Sequence, residues 1–193
     1  ERGPTDRPCD ICDNCREITQ GNSVDVVEID GASNTSVDDV REIRENVKFT
    51  PFRGQFRVYI IDEVHMLTSE SFNALLKTLE EPPEHVIFIL ATTELHKVPA
   101  TIVSRTQRFH FRPATSTDVV EHLRKIATKE KIAIDDDALE LIARHANGSF
   151  RDSMSLLDQL SSLSEHVTSA LVESVLGMAP RESVEKLLSA IIE

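Results

Sequence analysis

Two small groups of residues in this chain have types and spacings that could do chemistry. The first is Val58-Tyr59-Ile60-Ile61-Asp62-Glu63, where four apolar or aromatic residues run into adjacent carboxylates. Read as a strand, this run puts Asp62 and Glu63 at the carboxyl end of a buried strand, where open α/β sheets gather their ligands. Two carboxylates there can divide the work on a phosphate: one holds Mg²⁺ through water while the next orients and polarises an attacking water. The dipeptide could equally be an acidic strand end that caps the following helix. The second group is Cys9-x2-Cys12-x2-Cys15, which holds all three cysteines of the chain. Without a disulfide framework, such a cluster favours a metal. It offers three soft ligands where a closed tetrahedral zinc site uses four.

The hydrophobic pattern around these residues describes the frame that must position them. Residues 1–20 are rich in Pro, Asp and Cys and short on periodicity, as in a small metal-stapled knob. Val24 to Ile29 alternates as a strand, Gly31 to Thr35 supplies loop chemistry, and Ser36 with Asp39 resembles a capping box. Val37, Val40, Ile43 and Val47 mark one face of the helix that follows. Thr50-Pro51-Phe52-Arg53-Gly54 ends it, and Phe56 to Ile61 forms the strand that delivers Asp62 and Glu63. A helix over 69–80 stops at Pro82-Pro83, since proline cannot continue the backbone ladder. Val86 to Ala91 reads as a strand buried on both faces. Strands alternating with helices predict a parallel sheet with helices on both sides. Phe109 to Pro113 reads as its last strand. From Ser116 onward the signals are only helical, over 116–130, 136–146, 150–163 and 168–176, with a further start near Arg181.

Composition excludes several classes of function. With 40% hydrophobic and 28% charged residues over 193 positions, the chain is an ordinary globular protein rather than a disordered one. No apolar run approaches the roughly 20 residues of a membrane span. A formal charge of -12 prevents the whole surface from acting as a nucleic-acid glove, so any DNA contact must be local. The start, Glu1-Arg2-Gly3-Pro4, has neither an initiator Met nor a signal-peptide core, which reads as a cytosolic chain that begins in mid-protein.

The neighbours of the carboxylate pair decide between its two readings. Asp62-Glu63-Val64-His65-Met66-Leu67, followed by Phe72-Asn73-Ala74-Leu75-Leu76-Lys77-Thr78-Leu79-Glu80-Glu81-Pro82-Pro83, resembles the Walker B region of AAA+ clamp loaders. The resemblance is above all to the gamma/tau subunits of bacterial DNA polymerase III, and it runs over essentially the whole chain. It implies an α/β fold: a partial AAA+ P-loop parallel sheet with an inserted zinc module, then an all-α lid domain. The implied divisions are 1–114 for the partial nucleotide-binding domain, with the zinc module at about 1–20, then 115–178 for the lid and 179–193 for the start of a collar. Asp62 would hold Mg²⁺ and Glu63 would orient the catalytic water. Leu90-Ala91-Thr92-Thr93-Glu94 is similar to the sensor-1 strand, which implies that Thr93, with Thr92, contacts the γ-phosphate or that water; by itself a strand-end Thr is turn chemistry. Ser104-Arg105-Thr106 lies where the family has Ser-Arg-Cys, so Arg105 is the implied arginine finger for ATP on the adjacent subunit, with Thr in place of Cys. Asn147-Gly148-Ser149-Phe150-Arg151-Asp152 resembles the sensor-2 motif, in which Arg151 reaches nucleotide phosphates while Ser149 caps the helix.

The same resemblance gives Cys9, Cys12 and Cys15 a structural Zn²⁺. The family pattern Cys-x8-Cys-x2-Cys-x2-Cys would place a fourth ligand just before Glu1. No Gly-x4-Gly-Lys-Ser/Thr phosphate loop occurs in residues 1–193. The chain by itself is therefore expected to bind ATP poorly, although its parent would hydrolyse ATP with Mg²⁺. The implied function is ATP-driven loading of the sliding clamp onto primer-template DNA by a cytoplasmic, nucleoid-associated hetero-oligomer. Its partners would be delta, delta-prime and further gamma/tau copies. DNA contact would fall at helix starts such as Asn34 to Ser36 and Thr68 to Ser71. One rival reading is a delta-prime-like stator that donates a finger without hydrolysing ATP. The other is a zinc-binding interaction module, which leaves the ordered series Asp62-Glu63, Thr93, Arg105, Arg151 unexplained.

Overall fold

In the computed structural model a short helix, α1 (Asp13–Thr19), precedes three parallel strands: β1 (Val26–Asp30), β2 (Arg57–Asp62) and β3 (Val86–Leu90). The structure describes residues 7–33, 37–178 and 190–191. The Ser36 end of the expected capping box, the Asn34 to Ser36 DNA-contact candidate and the helix start near Arg181 lie outside the described residues. Helix α2 (Val37–Asn46) links β1 to β2, and α3 (Ser69–Glu80) links β2 to β3. The strand order is β1-β2-β3. Each crossover therefore steps to the next strand in the same direction, and two crossovers of the usual right hand put α2 and α3 on the same face.

The core confirms this arrangement. Val40, Ile43 and Val47 of α2 and Phe72 and Leu75 of α3 pack with Tyr59, Ile61 and Val86, joined by Val98 and by Ile102 of α4 (Ala100–Val103). Tyr59 stacks on its register partner Phe88, with ring centroids 5.4 Å apart. The other parity, Val58, Ile60, Ile87 and Ile89, takes no part in this core, and Ile87 and Ile89 are 40% and 47% exposed. This corrects the expectation that β3 is buried on both faces; α2, α3 and α4 all contribute to the core on the Tyr59 face of the sheet. An apolar run shows that both faces can accept cover; the connections decide which face receives it.

Asp25, just before β1, is 6% exposed and unremarkable in the sequence. Its Oδ1 accepts the N–H of Phe52 at 2.6 Å, and its Oδ2 accepts those of Arg53 and Gly54 at 2.8 Å each. The carboxylate thereby pins the turn that launches β2. Burial pushes the Asp25 carboxyl up, but the N–H donors of Gly54, Arg53 and Phe52, with the Arg57 charge, outweigh it and hold the group below the usual carboxylate range. Asp25→Ala is expected to cost about 3 kcal/mol of stability, because three backbone donors lose their acceptor; a urea titration would measure this. A depressed folded value means the contribution is complete above the unfolded value of about 3.9 and fades as pH falls through the folded one. Asp25→Asn should accordingly weaken the acid dependence of unfolding, and an unchanged acid limb would count against this role.

The described residues separate between Phe109 and His110 into two compact units. In the second, α5 (Ser116–Glu130), α6 (Asp136–His145), α7 (Phe150–Leu163) and α8 (Ser169–Val175) take the places expected for helices. They enclose Val119, Leu123, Leu139, Ile142, Leu157, Leu160 and Val172. Thr115 and Asp118 form a reciprocal capping box that starts α5. A two-residue parallel pair, β4 (Ala133–Ile134) with β5 (His166–Val167), was not anticipated. The strand expected over Phe109 to Pro113 does not form: Phe109 and Phe111 are 74% and 89% exposed and the segment pairs with no described strand. Period-two patterning is not sufficient for a strand, which needs a ladder partner.

Candidate active site at the strand ends

The carboxyl ends of β1, β2 and β3 lie side by side, with Asp30 opposite Asp62 and Ile61 opposite Leu90. Asp62 is exposed, and its Oδ1 accepts the N–H of Glu63 at 2.9 Å. Glu63 takes a left-handed backbone conformation, φ 45° and ψ 44°, which costs a non-glycine residue about 1 kcal/mol or more. Two ladder bonds continue past the strands and hold the turn in place: the Ala91 N–H donates to Ile61 O at 2.9 Å, and the Val64 N–H donates to Ala91 O at 2.9 Å. They bring the loop after β3 against Glu63. There the Thr93 hydroxyl donates to Glu63 Oε2 at 3.2 Å.

Gly31 closes the other side. Its N–H donates to Asp62 O at 2.8 Å. A Cβ at this position would lie 2.8 Å from Asp62 O and 2.7 Å from Glu63 O, closer than any side chain tolerates. Asp30 beside it accepts the Ser33 hydroxyl at 2.6 Å and the Ala32 N–H at 2.9 Å, and these two donors hold its carboxyl below the usual range. The strand ends thus bring the Thr93 hydroxyl onto the Glu63 carboxylate, beside Asp62.

Arg105 is on the surface just past α4, where its guanidinium forms a 2.8 Å ion pair with Glu80 at the end of α3 and also donates to Thr101 O. Thr106 donates to Ile102 O at 3.3 Å and Val103 O at 3.2 Å, so its hydroxyl satisfies carbonyls at the end of α4. Arg151 belongs to the second unit, exposed in the first turn of α7. Before it, Asn147 and Gly148 both have left-handed φ, 47° and 85°. A Cβ on Gly148 would lie 2.7 Å from Ala114 O. Ser149 then caps the helix by accepting the Asp152 N–H at 3.2 Å. Thr68 is likewise occupied as a cap, accepting the Ser71 N–H at 3.2 Å.

The three cysteines converge, with their sulfur atoms all within 4.8 Å of one another. Cys9 Sγ and Cys15 Sγ are 3.7 Å apart, close to the ~3.8 Å edge of a tetrahedron with 2.3 Å zinc–sulfur arms. The segment makes this possible by starting α1 directly after Cys12. The N–H groups of Cys12 and Ile11, with the neighbouring thiols, hold Cys9 down at about 6. It is therefore largely a thiolate at neutral pH, the form that binds metal. Among the described residues this is the one such His, Cys, Asp or Glu cluster with metal-ligand spacing.

Comparison with known proteins identifies the lineage. Residues 1–115 match a family model described as DNA polymerase III, delta subunit, and residues 118–165 match that of the DNA polymerase III clamp loader subunit, ATPase lid domain. The chain belongs to the bacterial DNA polymerase III clamp-loader subunit family. Within that family it is 50% identical to DNA polymerase III subunit tau of Escherichia coli (strain K12) over its whole length. It is 56% identical to subunit tau of Bacillus subtilis (strain 168) over 85% of the chain, and 44% identical to subunit gamma of Buchnera aphidicola subsp. Acyrthosiphon pisum (strain APS) over all of it. The chain spans 30%, 29% and 54% of those relatives' lengths. Among solved structures, the Thermotoga maritima RuvB Holliday junction branch migration motor superposes with a TM-score of 0.65 over 93% of this chain and 62% of that one. At 21% identity this shows the fold alone, an α/β parallel sheet followed by helices, and the second family match marks residues 118–165 as the lid.

The clamp-loader motif contains residues to which sequence reasoning gave no role. His65 is buried beside Glu63, and Glu94 lies on its far side. Both stand inside the quoted motifs, and a His two residues after a strand-end carboxylate pair was the available signal. No described helix is long and apolar enough to cross a membrane.

Proposed function

We propose that the chain is the ATP-hydrolysing core of a clamp-loader motor subunit, which loads the sliding clamp onto primed DNA. The carrying observation is the strand-end network, in which the Thr93 hydroxyl and the Glu63 carboxylate meet beside Asp62, in a chain with tau relatives along its whole length. In this reading Asp62 holds Mg²⁺ through water, and the ion, when bound, offsets phosphate charge. Glu63 takes the attacking water as its hydrogen-bond donor. Thr93, with Thr92, carries the γ-phosphate contact and keeps Glu63 in register with it. Arg105, outside this network, serves the ATP of an adjacent subunit, and Arg151 is the lid's contact to nucleotide phosphates. The partners are delta, delta-prime, further gamma/tau copies, the clamp and primer-template DNA, in the cytoplasm at the nucleoid. Residues 1–114, 115–178 and 179–193 serve as nucleotide-binding domain, lid and start of the oligomerising collar.

Cys9, Cys12 and Cys15 would hold a structural Zn²⁺ through their sulfur atoms, which would tie the segment before α1 together. Metal analysis of the full-length protein should find about one zinc per chain, and less than about half would count against the site. Without a phosphate loop in residues 1–193, the chain alone should turn over little ATP. The decisive experiment combines full-length protein, partner subunits, clamp and circular primed DNA. Clamp retained on the DNA only when ATP is present is the expected result; retention independent of ATP, or none, would remove the loader reading.

A further inference from the structure

The strand-end network contains a buried polar group that has no task in the mechanism above. His65 lies in the 3-10 turn Val64–Met66 that follows Glu63, and its side chain is 6% exposed. Nδ1 is 3.0 Å from Thr92 Oγ1 and 3.2 Å from Glu63 Oε2. On the opposite edge of the ring, Nε2 is 3.2 Å from Glu94 Oε2. Glu94 is fixed in turn, by Lys97 Nζ at 2.6 Å and by its own N–H donating to Thr92 Oγ1 at 3.0 Å. A buried imidazole needs partners on both edges. Here Nδ1 is hydrogen-bonded to the Thr92 hydroxyl, and a carboxylate oxygen lies 3.2 Å from each ring nitrogen, Glu63 on one edge and Glu94 on the other.

We propose that His65 is the positioning residue for Glu63, fixing that carboxylate against the Thr92–Glu94 loop so that it faces the attacking water. The proposal rests on the assignment of Glu63 made above. Both contacts on the carboxylate, from Thr93 and from His65, fall on Oε2. Among the described residues Oε1 is therefore the oxygen left for water. The ring spans from the loop that carries Thr93 to the turn that carries Glu63, so a movement of the loop on nucleotide contact is carried to the carboxylate while Asp62 stays on its strand.

The test uses the full-length subunit in its assembly. His65→Leu should lower kcat about tenfold or more, since a small misplacement of a reacting group is that costly, with KM for ATP within about twofold. His65→Gln, which keeps an amide donor, should recover part of the loss, and Glu94→Gln should reproduce part of it. Because the effect runs through Glu63, His65→Leu should slow Glu63→Gln no further in single-turnover measurements. Thermal melting reports folding; if His65→Leu fails to assemble, His65→Gln and Glu94→Gln carry the test. Wild-type kcat in those variants overturns the proposal, as does a loss that multiplies independently with that of Glu63→Gln or a matching rise in KM. If Glu63→Gln itself leaves turnover intact, the catalytic reading of Glu63 fails, and this proposal with it.

Discussion

Glu63→Gln in the full-length subunit is expected to stop ATP turnover while leaving ATP binding in place. The amide keeps the volume of the carboxylate and one oxygen to accept the Thr93 hydroxyl, which now donates at 3.2 Å. What disappears is the negative charge that polarises water, and losing a positioned base of this kind costs about 10²- to 10⁴-fold in rate. Nucleotide affinity measured beside turnover separates the cases. Loss of both points to a collapsed site, because Glu63 holds a strained left-handed turn. Unchanged turnover of the assembly is what a stator-like subunit would give, and it would remove Glu63 from catalysis.

Arg105→Ala should have an effect of similar size in a different place. An arginine finger stabilises charge on the transferring phosphoryl group and contributes about 10³-fold or more. The side chain is 37% exposed and paired with Glu80, and an exposed pair contributes only about 0–1 kcal/mol to stability. The variant should therefore fold normally. In an assembly of mixed subunits, the ATP site that loses activity should belong to the neighbour of the altered subunit, and Arg105→Lys should restore little, since an ammonium lacks the planar fork. Loss confined to the altered subunit's own site would contradict a role in trans.

Much of this architecture was legible because periodicity and proline punctuation are local signals. The helix 69–80 followed from an apolar face ended by Pro82-Pro83, and Asp62 and Glu63 were placed by the apolar run before them. Less could be read where the answer depends on residues distant in sequence. Asp25 and its three donors are 27 to 29 positions apart, and no composition rule marks an aspartate as buried. His65 meets Thr92 across 27 positions. β4 and β5 are two residues each, too short for any alternation to show. The opposite error occurred at Phe109 to Pro113, where alternation was present and a pairing partner was not. The clustering of Glu63 with Thr93 was implied by the family likeness, but the close packing of Gly31, just past β1, against the carbonyls of Asp62 and Glu63 emerged only from the structure.

Thr106 has a practical consequence. Because a hydroxyl rather than a thiol closes α4 next to Arg105, every sulfhydryl of the chain belongs to the cluster at Cys9, Cys12 and Cys15. A maleimide dye or a mild oxidant will address that cluster and leave α4 chemically silent, and Cys9, with its depressed thiol, should react first. Labelling kinetics with and without a chelator would read occupancy of the cluster directly. A single cysteine introduced elsewhere could then be followed as a separate, slower population.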